Sequence, residues 1–150
     1  MRPPLADHPI FGRSLDELEA DPADAGPFAS GHTAWLHRIR RVPLWALDDD
    51  DIALLLSRGR GGLPVLLLAL HRLDEDPLRR TTMPPGPLLL VVAAVEDARW
   101  RDAARGACET MLRVIAAADG QTADPLVRDE LALAAERFAE MLDSKGGSPP

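Results

Sequence analysis

The chain has 150 residues and a mass of 16.2 kDa, a length that favours one domain built around one hydrophobic core. Its 24 Asp and Glu side chains outnumber 17 Lys and Arg, and the net charge of −7 repels phosphate backbones and anionic lipid headgroups. We therefore expect neither nucleic acid nor a membrane surface as a partner. The single cysteine, Cys108, excludes an intramolecular disulfide.

No segment of the chain predicts export or membrane insertion. The opening MRPPLADHPIFG lacks the continuous apolar stretch of a secretory signal. The apolar runs LPVLLLAL and PLLLVVAAV are shorter than the ~20 residues that cross a bilayer. We therefore expect a cytoplasmic protein.

Cys108 shares a helical face with Ala104, Met111 and Ile115, which favours a buried, inert thiol over a nucleophile.

Two helices are predicted in the first third of the chain, after an irregular lead-in over residues 1–13. Ser14 begins the first helix, because Glu17 stands three residues on and can complete a capping box, and Pro22 ends it. The second helix places Trp35, Leu36 and Ile39 toward the core, starts at a cap provided by Ser30 or Thr33, and stops before Pro43.

The next two helices are predicted from an acidic start and a glycine break. Four aspartates, Asp48 to Asp51, precede an apolar pattern at Ile52, Leu55 and Leu56, as expected where carboxylates complement the positive end of a helix. The glycine-rich SRGRGG (57–62) ends this helix. The run VLLLAL (65–70) that follows Pro64 is apolar on all sides, which predicts the central helix of the fold.

The segment PLLLVVAAVEDARW (87–100) follows a loop, RRTTMPPGP (79–87), and is ambiguous, because a short apolar run rich in valine suits a buried strand as well as a helix. We predict a helix, because the chain offers no second strand with an alternating pattern to pair with it.

Two further helices are predicted in the last third of the chain. One follows the spacing of Trp100, Ala104, Ala107, Cys108, Met111, Leu112 and Ile115 and ends at the turn GQTAD (120–124). The last begins at Asp124 and Pro125 and carries the apolar stripe Val127, Leu131, Ala134, Phe138 and Met141. The prediction is an all-α fold, a compact bundle of about six to seven helices in a single domain (14–143), with a disordered tail (144–150).

The search for catalytic and metal-binding motifs returns none. His32 and His37 are five residues apart, which does not place them on one helical face, and HExxH, a cysteine pair and DxDxDG are absent. Neither GxSxG nor SxxK occurs, and SRGRGG lacks the Lys-Ser/Thr of a phosphate-binding loop. We therefore predict no catalytic residue, no metal and no cofactor, and a protein that is not an enzyme.

Two acidic groups frame the central helices, and they have two interpretations. In the first, Asp48 to Asp51 cap the start of a helix and complement its dipole, each worth ~0.3–1 kcal/mol, whereas Asp74 to Asp76 form a solvated helix end. In the second, the surplus charge lies within one Debye length of ~8 Å and suits docking onto a basic protein surface. The candidate partner-binding residues are Asp48, Asp49, Asp50, Asp51, Asp74, Glu75 and Asp76.

The order of several motifs resembles the helical immunity proteins of bacterial contact-dependent growth inhibition (CDI) systems. These motifs are SLDELE (14–19), RIRRVPL (38–44), the acidic start, glycine break and apolar helix ending in DPL (48–78), PPGPLLLVVAA (84–94) and Trp100. Two positions depart from the family pattern, since Pro84 replaces an aromatic residue and Pro87 an acidic one.

The resemblance implies a cytoplasmic antitoxin that binds and neutralises one cognate toxin domain without catalysis. Toxins of such systems are often nucleases with basic surfaces, which an acidic protein would occlude. A second hypothesis is a helical adaptor or homo-oligomerisation module with no toxin partner, in which the leucine-rich faces pack against a copy of the chain. The oligomeric state stays open at this point.

Overall fold

The computed structural model describes residues 9–18, 35, 38–59, 62–82, 86–103 and 105–146. Their α-helices are α1 (Leu15–Leu18), α2 (Asp49–Ser57), α3 (Gly62–Glu75), α4 (Leu88–Ala93), α5 (Asp97–Asp102), α6 (Arg105–Gln121) and α7 (Pro125–Gly146). Short 3₁₀ helices occupy Pro9–Gly12 and Leu44–Ala46. The described residues form no strand beyond two isolated bridges, so the all-α prediction and the helical rather than extended assignment of the Leu88 region are confirmed. The single helix predicted over residues 87–100 is wrong, because the segment is divided into α4, which ends at Ala93, and α5, which begins at Asp97.

Helix α3 is the centre of the fold, as its uniformly apolar sequence predicts. Its side chains from Val65 to Leu73 are mostly inaccessible to solvent, and Val65, Leu68 and Leu73 are fully buried. Helices α2, α4, α5 and α6 and both 3₁₀ helices pack against it. A helix that is apolar on all sides stabilises the fold when each of its sides is removed from water. The surrounding helices bury the apolar side chains of α3 in this way.

Two local signals at helix ends act as the sequence predicts. The Ser14 hydroxyl accepts from the Glu17 backbone N–H at 3.3 Å, and the Glu17 carboxylate accepts from the Ser14 N–H at 3.5 Å, which is a capping box. Helices α2 and α3 follow each other along the chain and pack together as a hairpin. At the C-terminal end of α2, Gly59 follows the C-cap Arg58 with a φ of 67°. This left-handed conformation favours glycine and ends α2.

The helix predicted to continue from Trp100 toward Ile115 is interrupted, and the prediction of one uninterrupted helical spacing there is wrong. Trp100 belongs to α5, whereas α6 begins at Arg105. Between them Ala103 is extended, with φ −77° and ψ 152°. The side chains on both sides of the break still face one core, so the spacing of apolar residues does not register the change of direction.

Helices α6 and α7 form an antiparallel pair that closes the fold. The Asp124 carboxylate accepts from the Leu126 N–H at 2.9 Å and caps α7, as predicted. The predicted stripe of α7 faces the core, with Leu131 and Phe138 essentially inaccessible, and α7 runs on past residue 143 to Gly146. The side chain of Cys108 on α6 is fully buried, as expected.

Several sequence predictions fall on residues outside the described ranges. These are the stop at Pro22, the caps at Ser30 or Thr33, the core position Leu36 and the histidine pair His32 and His37. In the same part of the chain, Trp35, Arg38 and Ile39 are described and helical, and Ile39 is buried, in agreement with the predicted helix.

Candidate functional site

The two acidic segments predicted as a partner-binding site lie at the same end of the α2–α3 hairpin. Helix α2 starts at the first segment and α3 ends within the second. An ion pair brings them together: Asp49 of the first segment pairs with Arg72, which lies two residues before the second segment. We call the seven candidate side chains, Asp48–Asp51 and Asp74–Asp76, the acidic cluster.

Asp48 and Asp51 form the start of α2. The Asp48 carboxylate accepts from the Asp51 N–H at 2.7 Å, and the Asp51 carboxylate accepts from the Asp48 N–H at 3.2 Å. Asp51 also accepts from the indole N–H of Trp35 at 3.0 Å. The capping function predicted for this run is therefore confirmed, and Asp51 in addition attaches the Trp35 segment to α2.

Asp49 pairs with two arginines. Its two oxygens accept from Arg72 Nη1 at 3.2 Å and from Arg79 Nε at 2.7 Å. Arg79 also donates to the Arg72 carbonyl at 3.2 Å, and Arg72 to the Trp45 carbonyl at 3.0 Å. These side chains are only 12–27% exposed, so the network is partly shielded from water and connects three separate segments.

Asp50 holds the loop that follows α3. It accepts from the Thr82 N–H at 2.8 Å and from the Thr82 hydroxyl at 2.5 Å. These two bonds to the charged form lower the pKa of Asp50 below its ordinary value. The ionised carboxylate therefore stabilises the fold at neutral pH, and this contribution declines as the pH falls through the lowered pKa.

Burial raises the pKa of Asp51, against the opposing effect of its bonds from Asp48 and Trp35. An acid that binds its proton more tightly when folded loses stabilising free energy as the pH rises through 3.8, the ordinary pKa, toward the higher folded value. Asn at this position can still accept from Trp35 but does not ionise.

We therefore expect the pH dependence of stability to differ between the wild type and Asp51→Asn. The free energy of unfolding of the wild type, relative to that of Asp51→Asn, should fall as the pH rises above about 3.8 and level off at higher pH. Urea denaturation at several pH values between about 3 and 7 measures this. A difference that is constant with pH, or that grows in the opposite direction, would contradict the raised pKa.

The second acidic segment is only partly engaged. The Asp74 carboxylate, 10% exposed, accepts from Arg113 of α6 at 3.2 Å. Glu75 is 62% exposed and lies 2.9 Å from His71 Nε2 on the preceding turn. Asp76 is exposed, and its backbone rather than its carboxylate makes the contacts to Arg72 and Arg79. The carboxylates of this segment that face solvent are thus Glu75 and Asp76.

The residues of the acidic cluster differ in exposure. Asp49, Asp50, Asp51 and Asp74 are partly buried and engaged in contacts within the chain, and two of the charges are offset by the arginines that they bind. Asp48, Glu75 and Asp76 lie at exposed positions, where Asp48 also caps α2 and Glu75 lies beside His71. An exposed carboxylate loses little solvation until a partner arrives, so these three are the ones available to pair with a cation on another molecule.

Trp45 stands beside the acidic cluster and was not predicted from the sequence as a site residue. It lies in the 3₁₀ helix Leu44–Ala46, and its side chain is 47% exposed. Its carbonyl is held by Arg72, which also binds Asp49. The available signal was an aromatic residue three positions before the aspartate run, in WALDDDD (45–51).

Two shallow grooves flank α4 on the far side of the fold. One, of about 350 Å³, lies between the end of α2 and the start of α5, and the other, of about 210 Å³, between α4 and α7. Leu90 and Ala94 line both. Arg99 and Arg137, which line one groove each, donate to backbone carbonyls of the chain.

The part of the chain that the structure describes holds no group of three or more His, Cys, Asp or Glu side chains arranged to bind a metal ion. None of its helices is long and apolar enough to cross a membrane.

Comparison with known proteins gives one match. A family model described as CDI immunity proteins matches residues 17–109, which includes α2, α3, α4, α5 and the acidic cluster. No curated protein and no solved structure matches the chain. Because the family model covers more than half of the sequence, the chain belongs to the family of CDI immunity proteins.

Proposed function

We propose that this protein is a cytoplasmic, non-enzymatic antitoxin that binds the cognate toxin domain of a contact-dependent growth inhibition system and blocks its activity. The family match over residues 17–109 is the observation that carries the proposal. The described site supports it, since its side chains are arranged for capping, ion pairing and surface contact rather than for proton transfer or nucleophilic attack.

The acidic cluster is the proposed contact surface for a toxin domain with a basic face, such as a nuclease. Asp48, Glu75 and Asp76 would make the direct contacts, because their carboxylates are exposed. Asp49, Asp50, Asp51 and Asp74 would position that surface through their bonds within the chain. Charges at the rim of an interface accelerate association, whereas buried contacts slow dissociation.

The triple variant Asp48→Asn, Glu75→Gln, Asp76→Asn should slow association with the toxin domain by about tenfold at low salt and flatten the salt dependence of the rate. Asn is a good N-cap, so the start of α2 is retained. The association rate constant is measured by surface plasmon resonance or stopped flow at several salt concentrations.

A matched control removes three negative charges elsewhere. Asp129→Asn, Glu136→Gln and Glu140→Gln lie at exposed positions of α7, outside the residues matched by the family model. This variant should associate nearly as fast as the wild type. Equal slowing in both variants would assign the effect to net charge and exclude the acidic cluster as the contact surface.

Neutralisation itself is tested with the purified chain and the toxin domain encoded beside it. Increasing amounts of the chain should abolish toxin activity at a molar ratio fixed by a defined complex, which size-exclusion chromatography with light scattering identifies. A toxin that stays fully active in the presence of excess folded chain would overturn the proposal. A stable homo-oligomer that does not bind the toxin domain would support the adaptor hypothesis instead.

A further inference from the structure

Trp45 is an exposed aromatic side chain on a short, well-anchored turn. Leu44, directly before Trp45, and Leu47, two residues after it, are 0% and 2% exposed, so the turn is attached to the core at both ends. Leu47 N–H donates to the Leu44 carbonyl at 3.0 Å and closes the turn. The indole, by contrast, is about half accessible to solvent.

The backbone of Trp45 is also held from the side. Arg72 donates to the Trp45 carbonyl at 3.0 Å and at the same time pairs with Asp49 at 3.2 Å. The backbone of Trp45 is therefore fixed relative to α2 and α3 before any partner binds. A pre-organised segment loses less conformational entropy on binding than a mobile one.

The surroundings of Trp45 determine the kind of partner that it suits. Asp48 lies three residues on at an exposed position, and Arg72 connects the Trp45 backbone to the last turn of α3, where Glu75 is exposed. An exposed aromatic side chain on this acidic end of the fold complements an apolar pocket bordered by Arg or Lys. A guanidinium can also stack on the indole, which is worth ~0.5–2 kcal/mol.

We propose that Trp45 is the apolar anchor of the toxin interface, inserting into a pocket on the cognate toxin domain that is flanked by basic side chains. This inference rests on the proposed function and adds to it the residue that determines how long the complex lasts. Tryptophan is among the residue types most enriched at positions that dominate binding energy, and such residues are surrounded by contacts that exclude water. Asp48, three residues from Trp45, is the exposed carboxylate nearest to it along the chain.

The test compares three variants for binding to the cognate toxin domain. Trp45→Ala should raise Kd about 30-fold or more, mainly through faster dissociation, because the anchor is lost. Trp45→Phe should recover part of the affinity, because the smaller ring still fills the pocket. The matched control, Leu133→Ala, removes a side chain that is 63% exposed on α7 and should leave Kd within about twofold.

Thermal unfolding of each variant establishes that it folds, which is expected because Trp45 and Leu133 are both exposed. A folded Trp45→Ala variant that binds as tightly as the wild type would overturn the inference. A loss of affinity in Leu133→Ala alone would overturn it too and assign the interface to the groove between α4 and α7. If the wild type itself does not bind the toxin domain, the proposed function is wrong. This outcome differs from the two above, in which the wild type binds and only the role of Trp45 is wrong.

Discussion

Trp100→Ala should lower the free energy of unfolding by about 3–5 kcal/mol, the largest loss that we expect from any single substitution considered for this protein. Trp100 is fully buried on α5, and its ring packs against Phe138 of α7 in an edge-to-face arrangement, with centroids 4.6 Å apart and planes at 83°. Truncation would leave a large cavity between the part of the chain matched by the family model and the final helix. Urea denaturation of both proteins measures the loss.

Trp100→Phe separates the packing of the ring from the polarity of the indole. The Trp100 indole N–H is buried without a hydrogen-bond acceptor among the described residues, a cost of ~1–3 kcal/mol that phenylalanine does not carry. We therefore expect Trp100→Phe to lose less than half of what Trp100→Ala loses. If the two substitutions cost the same, the indole N–H contributes a stabilising bond and its assignment as unsatisfied is wrong.

Asp49→Asn is the second substitution with a large expected effect on stability. It removes the charge that pairs with both Arg72 and Arg79, and these side chains are only partly exposed. Exposed ion pairs are worth less than ~1 kcal/mol, and breaking a fully buried one costs ~3–5 kcal/mol. For this intermediate site we expect a loss of about 2 kcal/mol in the free energy of unfolding.

The matched control for Asp49→Asn is Asp76→Asn, an identical chemical change within the same acidic cluster. The Asp76 carboxylate is exposed, so its substitution should change the free energy of unfolding by less than about 0.5 kcal/mol. Chemical denaturation of both variants provides the comparison. Equal losses would show that net charge, rather than the network around Asp49, determines the stability of this end of the protein.

The fold was largely predictable from the sequence because its signals are local. The capping box at Ser14 and Glu17, the acidic start of α2 and the apolar run of α3 each specify a helix end or a buried face from residues close in the chain. The break at Ala103 was not predictable in this way. The apolar spacing continues across it, because Trp100 and Met111 face the same core from two different helices.

The function of the acidic run was only half predictable. Capping is local, and the sequence predicts it at Asp48. The partners of Asp49 and Asp50, however, are Arg72, Arg79 and Thr82, which lie 23 to 32 residues further along the chain. Neither their approach nor the resulting loss of free negative charge is visible in the sequence.

The partly buried aspartates of the acidic cluster are poor choices for testing the binding surface. Replacing Asp49, Asp50 and Asp51 together would remove contacts that hold α2, α3 and the following loop in place, so a loss of toxin binding would not distinguish a contact from a folding defect. The exposed set of Asp48, Glu75 and Asp76 avoids this ambiguity.

Growth of cells that produce the cognate toxin domain, with and without this chain expressed at a verified level, is the sharpest test of the immunity function. We expect the chain to restore growth against the cognate toxin domain and not against one of unrelated sequence. Persistent growth arrest by the cognate toxin, in cells that contain abundant folded chain, would contradict the assignment of an immunity function.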